Sequence, residues 1–264
     1  MKIPGSLLLQ TGLPAEYVVK ELKIQEALAG LSAGFADAGL QYAFFGGTAL
    51  NQFHLKAKRF SEDLDFFAYG SAPGRFTAFL KKSLPAFAST GPSRIFGEFH
   101  RWKLAYSDEE NGVSRDFLFV DANFAFHTPP TPLSRLEPRS FLNDYGFFVR
   151  TPPMYSFPPE VFAAQKMVAI SARTAGRDYY DLSRLLTEYR FSRRQLLPHA
   201  RVYSKPLFGF MPFDERTFFA SVAAKAALAD PRELAAADAF IPAPHRPNWL
   251  QLKKELVQRI RGLK

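Results

Sequence analysis

The spacing of apolar residues predicts a long helix near the start of the chain, followed by a strand and a tight turn. Apolar side chains recur at helical intervals over residues 15–39, with Pro14 suited to the first turn and Gly39 to the end. The apolar run Tyr42–Phe45 then predicts a strand that stops at two glycines, and a helix is predicted for residues 48–56. The chain therefore begins as a mixture of helices and strands.

The same pattern predicts further strands up to about residue 150. Strands are predicted near residues 63–67, within 95–106, at 117–124 and at 147–150, with a helix at 75–84 and a hairpin turn at 108–112. Residues 117–124 are almost wholly apolar, which is typical of a central strand. Most of the 28 phenylalanines are assigned to the core, and none is given a ligand role.

Helices dominate the predicted second half. Six are predicted, at residues 160–174, 177–189, 192–201, 214–228, 231–240 and 248–262, and prolines at 242, 244 and 247 predict a stiff linker before the last one. Pro-Pro pairs lie on either side of residue 155, where the pattern changes. The predicted fold class is therefore α+β, with one domain over residues 1–150 and a mostly helical domain over residues 151–264.

The amino-acid composition excludes several kinds of protein and of functional site. With 264 residues, 47% of them hydrophobic, the chain is long enough to bury a sizeable core. It has no cysteine, which excludes disulfides, thiolate metal sites and cysteine nucleophiles. The apolar run at the N-terminus is too short for a signal peptide, and no stretch approaches the roughly 20 apolar residues of a membrane span. We expect a cytoplasmic protein without membrane association.

Charge is distributed unevenly. Residues 1–149 carry 15 Lys/Arg and 15 Asp/Glu, so the whole net charge of +9 lies in the remainder. A basic half beside a neutral half is typical of a protein that binds a polyanion. Solvated basic helix faces would produce the same charge pattern, and charge alone does not choose between these interpretations.

The chemistry is predicted around two glycines and two aspartates. Gly46 and Gly47 follow a strand and open a helix, an arrangement whose free N–H groups hold anions such as phosphate. Asp63 and Asp65 are two residues apart on a predicted strand, so both carboxylates project from one face. Two such carboxylates repel each other unless a cation lies between them, and a hard divalent ion such as magnesium is the usual one. The order of the two motifs predicts chemistry on a metal–nucleotide complex.

Each of these motifs has a plain structural alternative. A lone Gly-Gly is usually a turn, and a lone Asp-x-Asp is usually a solvated strand end. Asp121 strengthens the functional interpretation because it interrupts the apolar run 117–124, where a carboxylate is costly unless it is paired or bound to a metal. It is the candidate for a third ligand.

A second group of candidate residues lies in the helical half. Lys166 is embedded among apolar residues of a predicted helix, so it either extends to the surface or reaches into a site. Asp178 and Asp181 are three residues apart on the next helix, hence on one face, and Arg177 adjoins them. A helix-capping and ion-pair cluster explains Arg177 and Asp178 equally well.

Together these segments resemble one family. The residues that carry the resemblance are Gly46-Gly47-Thr48-Ala49-Leu50, Arg59-x-Ser61-x-Asp63-x-Asp65-Phe66, Val120-Asp121, Glu160-x5-Lys166 and Arg177-Asp178-x-x-Asp181-Leu182. In order and spacing they are similar to the nucleotidyltransferases of the AbiEii/AbiGii toxin group, within the DNA polymerase β-like nucleotidyltransferase superfamily. The resemblance runs from about residue 40 to residue 190, and residues 190–264 add nothing to it.

The resemblance implies a nucleotidyltransferase domain with a mixed β-sheet flanked by helices, and a helical domain that closes over the nucleotide. The metal-binding residues would be Asp63, Asp65 and Asp121, which hold two magnesium ions, with manganese as an alternative. Asp121 would also help to deprotonate the acceptor hydroxyl. Serine often follows the first glycine in the superfamily, so here Thr48 or backbone amides must take its place.

The remaining roles concern phosphate. Gly46, Gly47 and Thr48 would hold the β- and γ-phosphates, and Arg59 and Ser61 would touch phosphate or support the site. Lys166 would neutralise phosphate charge, Asp181 would orient Lys166 or the acceptor, and Arg177 and Asp178 would contribute to nucleotide binding.

The expected substrates are a nucleoside triphosphate and an RNA acceptor, the 3′ end of tRNA. The resemblance also implies a toxin of a toxin–antitoxin or phage-defence system, with a separately encoded antitoxin. Two alternatives stay open: the acceptor is a small molecule or a protein side chain, or the fold is a non-catalytic module that binds nucleotide or RNA.

Overall fold

The structure is a computed structural model that describes residues 2–56, 58–144, 146–208 and 213–264. The chain divides into two compact units. Unit 1 comprises Met1–Phe157 and Phe240–His245, and unit 2 comprises Pro158–Ala239 and Arg246–Lys264. The predicted boundary at residue 150 falls within a strand of unit 1.

Unit 1 is built on a mixed sheet. Its strands, in chain order, are β1 (Gln41–Phe45), β2 (Asp63–Tyr69), β3 (Ala88–Ser89), β4 (Ser93–Phe96), β5 (Phe99–Asp108), β6 (Val113–Asn123), β7 (Ser134–Leu136), β8 (Arg139–Leu142), β9 (Phe148–Thr151) and β10 (Met154–Ser156). Within the described residues, eight of them form one sheet in the order β3-β5-β6-β2-β1-β10-β7, with β4 beside β5, and β8 pairs with β9 separately. The pairs β2–β6 and β1–β10 are parallel and the others are antiparallel.

The helices of unit 1 are α1 (Gly5–Thr11), α2 (Ala15–Ala38), α3 (Gly46–Ala49) and α4 (Pro73–Ser83). α2 follows Pro14 and ends at Gly39, whose left-handed φ of 59° a side chain would disfavour, as the sequence predicts. The predicted helix 48–56 differs from the structure, because only α3 is α-helical and Leu50–His54 continues it as a π-helical turn. Such turns are rare and occur frequently at functional sites.

Aromatic side chains fill the space between the sheet and helices α2 and α4. The ring of Phe35 on α2 lies 3.7 Å from Tyr42, 5.4 Å from Phe66 and 4.4 Å from Phe79, measured between centroids. Trp102 on β5 is fully buried beside Phe76, at 5.1 Å. These rings explain much of the phenylalanine content, since each aromatic ring buries a large apolar area.

The segment before the last helix returns to unit 1. The backbone N–H of Phe60 donates to the carbonyl oxygen of Phe240 at 2.8 Å, and the Phe240 ring meets Tyr17 edge-on. Ile241 is fully buried. The proline-rich stretch predicted as a linker is therefore packed against the first unit and includes a 3₁₀ turn at Ala243–His245.

Unit 2 is helical throughout its described residues. Its helices are α5 (Pro159–Ala172), α6 (Gly176–Glu188), α7 (Arg193–Phe208), α8 (Phe218–Leu228), α9 (Pro231–Leu234) and α10 (Trp249–Arg261), with a 3₁₀ segment at Ala235–Phe240. α5 is buried on nearly every side, which is typical of a central helix that is apolar all round. Gly176 opens α6 at a position where a Cβ would overlap the carbonyl oxygen of Leu234.

The predicted α+β fold is confirmed, including the mixed sheet flanked by helices. Among the described residues, no helix has both the length and the hydropathy needed to cross a membrane.

Candidate active site

Two aspartates project from one face of β2. Along this strand Asp63 and Asp65 are partly exposed, whereas Leu64 and Phe66 between and after them are fully buried. The alternation follows from the strand geometry, in which successive side chains point to opposite faces. The helix-covered face therefore holds the apolar residues, and the opposite face holds both carboxylates.

The neighbouring parallel strand β6 places Asp121 beside Asp65. The two residues are paired in register, so their side chains share the same face of the sheet. Arg101 on β5 is paired with Asp121 from the other side. Its Nε donates to Asp121 Oδ1 at 2.7 Å, and its Nη2 donates to Oδ2 at 2.6 Å and lies 3.9 Å from Asp63 Oδ2. We call Arg101, Asp121, Asp65 and Asp63 the carboxylate row.

Arg101 and Asp121 form an ion pair in which the carboxylate is buried and the guanidinium is partly exposed. Burial raises the pKa of the Asp121 carboxyl, and the hydrogen bonds from Arg101 oppose that rise. The same hydrogen bonds raise the pKa of Arg101 above its ordinary value, so the guanidinium keeps its charge. This bidentate pair was missed by the sequence analysis. Arg101 could have been suspected only because it alternates with Trp102 and Leu104 on a predicted strand.

The two glycines permit close approach of charged side chains. Gly46 has a φ of 74°, and a Cβ there would overlap Asp65 Oδ2. A Cβ at Gly47 would lie 2.5 Å from Arg59 Nη2 and 3.3 Å from Ser61 Oγ. A side chain at Gly46 is disfavoured by both sterics and backbone conformation, whereas at Gly47 it would require the Arg59 side chain to move aside.

Thr48 differs from the sequence-based expectation of a phosphate contact. Its side chain is buried, and its hydroxyl donates to the carbonyl oxygen of Asp63 at 2.5 Å. This hydrogen bond joins the glycine turn to β2. Asn51 adds a second link within the turn, since its Nδ2 donates to the carbonyl oxygen of Gly47 at 2.9 Å. The hydroxyl of Thr48 is thus committed to the protein, which leaves the backbone N–H groups of the turn as the candidates for phosphate.

A buried polar cluster supports the turn from behind. Arg59 is buried, and its Nη1 donates to the carbonyl oxygen of Phe60 at 2.7 Å. Glu21 of α2 accepts hydrogen bonds from Gln52 Nε2 at 2.9 Å and from the backbone N–H of Ser61 at 3.5 Å. Burial raises the pKa of Glu21 to about 7, against the opposing effects of these hydrogen bonds and of the Arg59 charge. Neither Glu21 nor Gln52 was singled out from the sequence, because nothing local marks them.

Unit 2 contains a compact ion cluster of its own. Lys166 Nζ on α5 lies 2.8 Å from Asp178 Oδ1 and 2.8 Å from Asp181 Oδ2, both on α6. Both aspartates are almost completely buried. Arg173, which precedes α6, donates from Nε to Asp178 Oδ2 at 2.9 Å. Lys166 is therefore held by both of the aspartates that the sequence placed on one helix face.

This cluster is strongly neutralised. Burial alone raises the pKa of Asp178, but the charges of Lys166 and Arg173 and their hydrogen bonds hold the pKa well below its ordinary value. Arg177 is half-buried beside Asp178 in the chain. The sequence suggested an ion pair of Asp178 with Arg177, whereas the ion pairs described for Asp178 are with Lys166 and Arg173.

The structure thus assembles the predicted residues into two groups. In unit 1, Asp63, Asp65 and Asp121 share one sheet face, and the glycine turn, Arg59 and Ser61 lie against its edge. In unit 2, Lys166 joins Asp178 and Asp181. Within the part of the chain that the structure describes, no three acidic or histidine side chains converge closely enough to hold a metal ion together. Oxygen donors of this kind nevertheless fit a hard cation in their chemistry, and Arg101 is a cation already placed among them.

Comparison with protein families gives one match over most of the chain. The family model described as nucleotidyl transferase AbiEii toxin, type IV TA system, matches residues 27–258. No curated protein matches the sequence.

Three solved structures are similar to this chain to different degrees. MenT4, a nucleotidyltransferase toxin from Mycobacterium tuberculosis H37Rv, superposes with a TM-score of 0.64 at 16% identity, covering 98% of this chain and 89% of that one. An antigenic nucleotidyltransferase-like protein from Paracoccidioides brasiliensis gives a TM-score of 0.45 at 15% identity, covering 69% and 87%. The antibiotic-resistance factor ANT(2'')-Ia gives 0.44 at 9% identity, covering 69% and 92%. The first of these supports the fold, and the other two scores are too low to carry an argument.

Proposed function

The chain belongs to the nucleotidyl transferase AbiEii toxin family of type IV toxin–antitoxin systems, and on that premise we propose that it transfers a nucleoside monophosphate to RNA. The donor is a nucleoside triphosphate, and the acceptor is a hydroxyl at the 3′ end of an RNA such as tRNA. The observation that carries this proposal is the carboxylate row, where three aspartates from two parallel strands face the same way beside a glycine turn.

The carboxylate row fits a divalent cation in its donor chemistry. Asp63 and Asp65 offer oxygen ligands on one face, and the ion pair with Arg101 has to open before Asp121 can join them. Magnesium, with manganese as an alternative, supplies Lewis acidity to the phosphates and the attacking hydroxyl when it is bound there. Two ions are proposed, as is usual for nucleotidyl transfer.

The proposed step is an in-line displacement. The acceptor hydroxyl oxygen forms a bond to the α-phosphorus while the bond from that phosphorus to the bridging oxygen breaks, and pyrophosphate leaves. Asp121 accepts the proton of the hydroxyl after the ion pair with Arg101 has opened, because its carboxylate oxygens then no longer accept hydrogen bonds from the guanidinium. Arg101, once displaced from Asp121, neutralises charge that develops on the phosphate.

Phosphate binding is assigned to the glycine turn and to basic residues. The backbone N–H groups of Gly46 and Gly47 are proposed to hold the terminal phosphates, with Arg59 and Ser61 supporting the turn from behind. Lys166 is proposed to neutralise phosphate charge, and Asp181 with Asp178 to position its ammonium group. Arg177 is proposed as a further phosphate contact.

The proposed setting follows from the family and the substrates. A type IV toxin–antitoxin system implies a separately encoded antitoxin. Nucleoside triphosphates and RNA occur together in the cytoplasm, which is the location we propose.

Labelled nucleotide transfer tests the proposal. Each nucleoside triphosphate, labelled at the α-phosphate, is incubated with the protein and total RNA, with magnesium or with EDTA. Replacing Asp65→Asn should lower incorporation into RNA at least about a hundredfold with an unchanged fold, since two to three kcal/mol of barrier stabilisation is lost. Asp116→Asn is the matched control, because Asp116 lies on the same strand as Asp121 but hydrogen-bonds Tyr106.

Two results would contradict the proposal. Full incorporation by Asp65→Asn would exclude the carboxylate row as the reaction centre. Label that appears in protein or in a small molecule, with none in RNA, would assign a different acceptor to the same enzyme.

A further inference from the structure

Two half-buried phenylalanines on β6 each lie against a cation. The Nζ of Lys103 lies 3.4 Å from the centroid of the Phe117 ring, and Arg115 Cζ lies 5.4 Å from the same ring. Arg101 Cζ lies 4.7 Å from the centroid of Phe119. We call Lys103, Arg115, Phe117 and Phe119 the aromatic strip.

The aromatic strip continues directly from the carboxylate row. Phe119 is paired in register with Asp63 on one side and with Lys103 on the other, and Asp121 follows it at i+2. Residues two apart on a strand share a face and are about 7 Å apart along it. The rings of Phe119 and Phe117 are therefore the next two positions beyond Asp121 on the same face of the sheet.

Core packing does not account for these two rings. Leu118 and Val120, which point to the helix-covered face, are fully buried, whereas Phe117 and Phe119 keep part of their surface exposed. Each ring also makes a cation–π contact. Such contacts place a charged group against one face of the ring, so that face is not packed in an apolar core. A surface of aromatic faces and cations beside a reaction centre suits a ligand that is both planar and anionic.

Unpaired nucleotides have this chemistry. Bases stack on aromatic side chains whatever their sequence, and phosphates pair with Lys and Arg. Single-stranded ends are recognised by such stacking, whereas in a duplex the base faces are already covered. A base that stacks on Phe117 would displace Lys103 from the ring, and the ammonium group could then contact the adjacent phosphate.

We infer that the aromatic strip binds the last unpaired nucleotides of the acceptor RNA and leads its 3′ hydroxyl to the carboxylate row. This inference rests on the proposed function, because it takes the acceptor to be RNA. Phe119 stacks the nucleotide closer to the reacting end, and Phe117 stacks the one before it. Lys103 and Arg115 contact their phosphates.

Fluorescence anisotropy with an end-labelled, unstructured RNA of about 12 nucleotides tests the strip. The variant Phe117→Leu/Phe119→Leu keeps an apolar side chain but removes both rings. It should bind the RNA at least about 25-fold more weakly, which corresponds to about 1 kcal/mol per stacked base. Its affinity for the nucleoside triphosphate should stay within twofold of the parent protein.

A second variant removes the charges. Lys103→Gln/Arg115→Gln should lower the slope of log affinity against log salt by about 1.4, as expected for two lost phosphate contacts on a single strand. This variant alters two partly exposed side chains, so it also keeps the inference testable if the double leucine variant does not fold.

The matched control is Phe148→Leu, since Phe148 on β9 is exposed and has Arg150 at 5.1 Å from its ring. The control should bind RNA within twofold of the parent.

Four outcomes would contradict the inference that the aromatic strip binds RNA. Three of them are RNA affinity within twofold in both strip variants, a loss confined to nucleoside triphosphate affinity, and equal weakening in the Phe148→Leu control. The fourth is absence of RNA binding by the parent protein.

The transfer assay separates this inference from the proposed function. RNA binding that depends on the strip without any transfer to RNA supports the strip and contradicts the function. If both strip variants still transfer nucleotide to RNA and bind RNA as tightly as the parent protein, the inference about the strip is contradicted and the proposed function is supported.

Discussion

Acidic side chains cluster in both units, but their surroundings differ. In unit 1, Asp63, Asp65 and Asp121 line one sheet face, and the guanidinium of Arg101 lies within 4 Å of two of them. In unit 2, Asp178 and Asp181 are both buried against Lys166, and Arg173 adds a second cation to Asp178. In the first group Asp63 and Asp65 are partly exposed and Asp121 is buried, whereas both aspartates of the second group are buried.

We expect this difference to separate a site that takes up a cation from a cluster that stabilises unit 2. A buried acid with two cationic partners is already neutralised, and a further cation would gain little there. Asp63 and Asp65 keep part of their surface open to solvent, and the guanidinium that pairs with the buried Asp121 is itself partly exposed, so another cation could replace it. The roles proposed for them differ accordingly: reaction chemistry for the aspartates of unit 1, and positioning of Lys166 for those of unit 2.

The pKa shifts of two buried acids, Glu21 in unit 1 and Asp178 in unit 2, show the same contrast. Burial raises the pKa of Glu21 in unit 1 to about 7, which means that its charged form is poorly compensated. In unit 2 the cations hold the pKa of Asp178 below its ordinary value, in spite of its burial. Stability should therefore depend on pH in opposite directions for the two groups.

The largest effect is expected from the enclosed cluster. Lys166→Met leaves Asp178 and Asp181 buried together without their shared cation, so the free energy of unfolding should fall by about 3–5 kcal/mol. Asp63→Asn, which removes a partly exposed charge, should change it by less than about 1 kcal/mol. Urea denaturation followed by circular dichroism measures both, with the exposed Lys254→Met as the control. An equal fall in the free energy of unfolding for Lys166→Met and Asp63→Asn would contradict the proposed difference between the two acidic clusters.

Glu21→Gln should show an intermediate effect that depends on pH. The folded-state pKa is raised above the unfolded value of 4.5, so the wild type loses stability as the pH rises from about 4.5 to 7. The glutamine variant lacks this loss and should be more stable than the wild type at pH 8, by on the order of 3 kcal/mol. The difference should vanish below pH 4.5.

Denaturation midpoints at a series of pH values test this expectation. For Asp178 the change of stability with pH has the opposite sign. Its pKa is lowered in the folded state, so its ionised form stabilises the fold above about pH 4, and this stabilisation is lost as the pH falls. A difference between Glu21→Gln and wild type that does not change with pH would contradict the ionisation argument for Glu21.

The smallest effect concerns the exchange of Arg101 for a metal ion. Arg101→Gln removes one partner of the pair with the buried Asp121, so the free energy of unfolding in EDTA should fall by about 2 kcal/mol. Millimolar magnesium should restore more stability to this variant than it adds to the wild type, because the ion no longer competes with the guanidinium. Thermal denaturation with EDTA or magnesium measures the difference.

Arg94→Gln is the control for that comparison, since Arg94 is exposed on β4 and lies 4.0 Å from Glu98. Magnesium that stabilises the wild type and Arg101→Gln equally would mean that Arg101 and the metal do not compete.

Much of the local structure followed from the sequence alone. The bounds of α2 agree with Pro14 and Gly39, and the alternation of Asp63 and Asp65 with buried neighbours was predicted from strand geometry. The family and the class of enzyme were also predicted correctly, because their motifs are short and occur in a fixed order. The role of the individual site residues stays a prediction that the experiments above address.

Other features depended on contacts between residues far apart in the chain. The sequence marked Thr48 as a phosphate ligand, but its hydroxyl hydrogen-bonds a carbonyl on β2. Strand periodicity puts Phe117 and Phe119 on the face of Asp121, but only the pairing with β5 brings Lys103 and Arg101 against their rings. The proline-rich stretch predicted as a linker begins within unit 1, where Pro242 is buried and Ala243–His245 forms a 3₁₀ turn.

The amino-acid sequence by itself determined which residues are close along one strand or helix, because side-chain direction follows from backbone periodicity. It therefore placed Asp63 with Asp65 and Asp178 with Asp181. Only the tertiary structure decided that Arg101 faces Asp121 and that Glu21 lies behind the glycine turn. Pairing register sets such contacts, and a slip of one residue would turn each side chain to the opposite face.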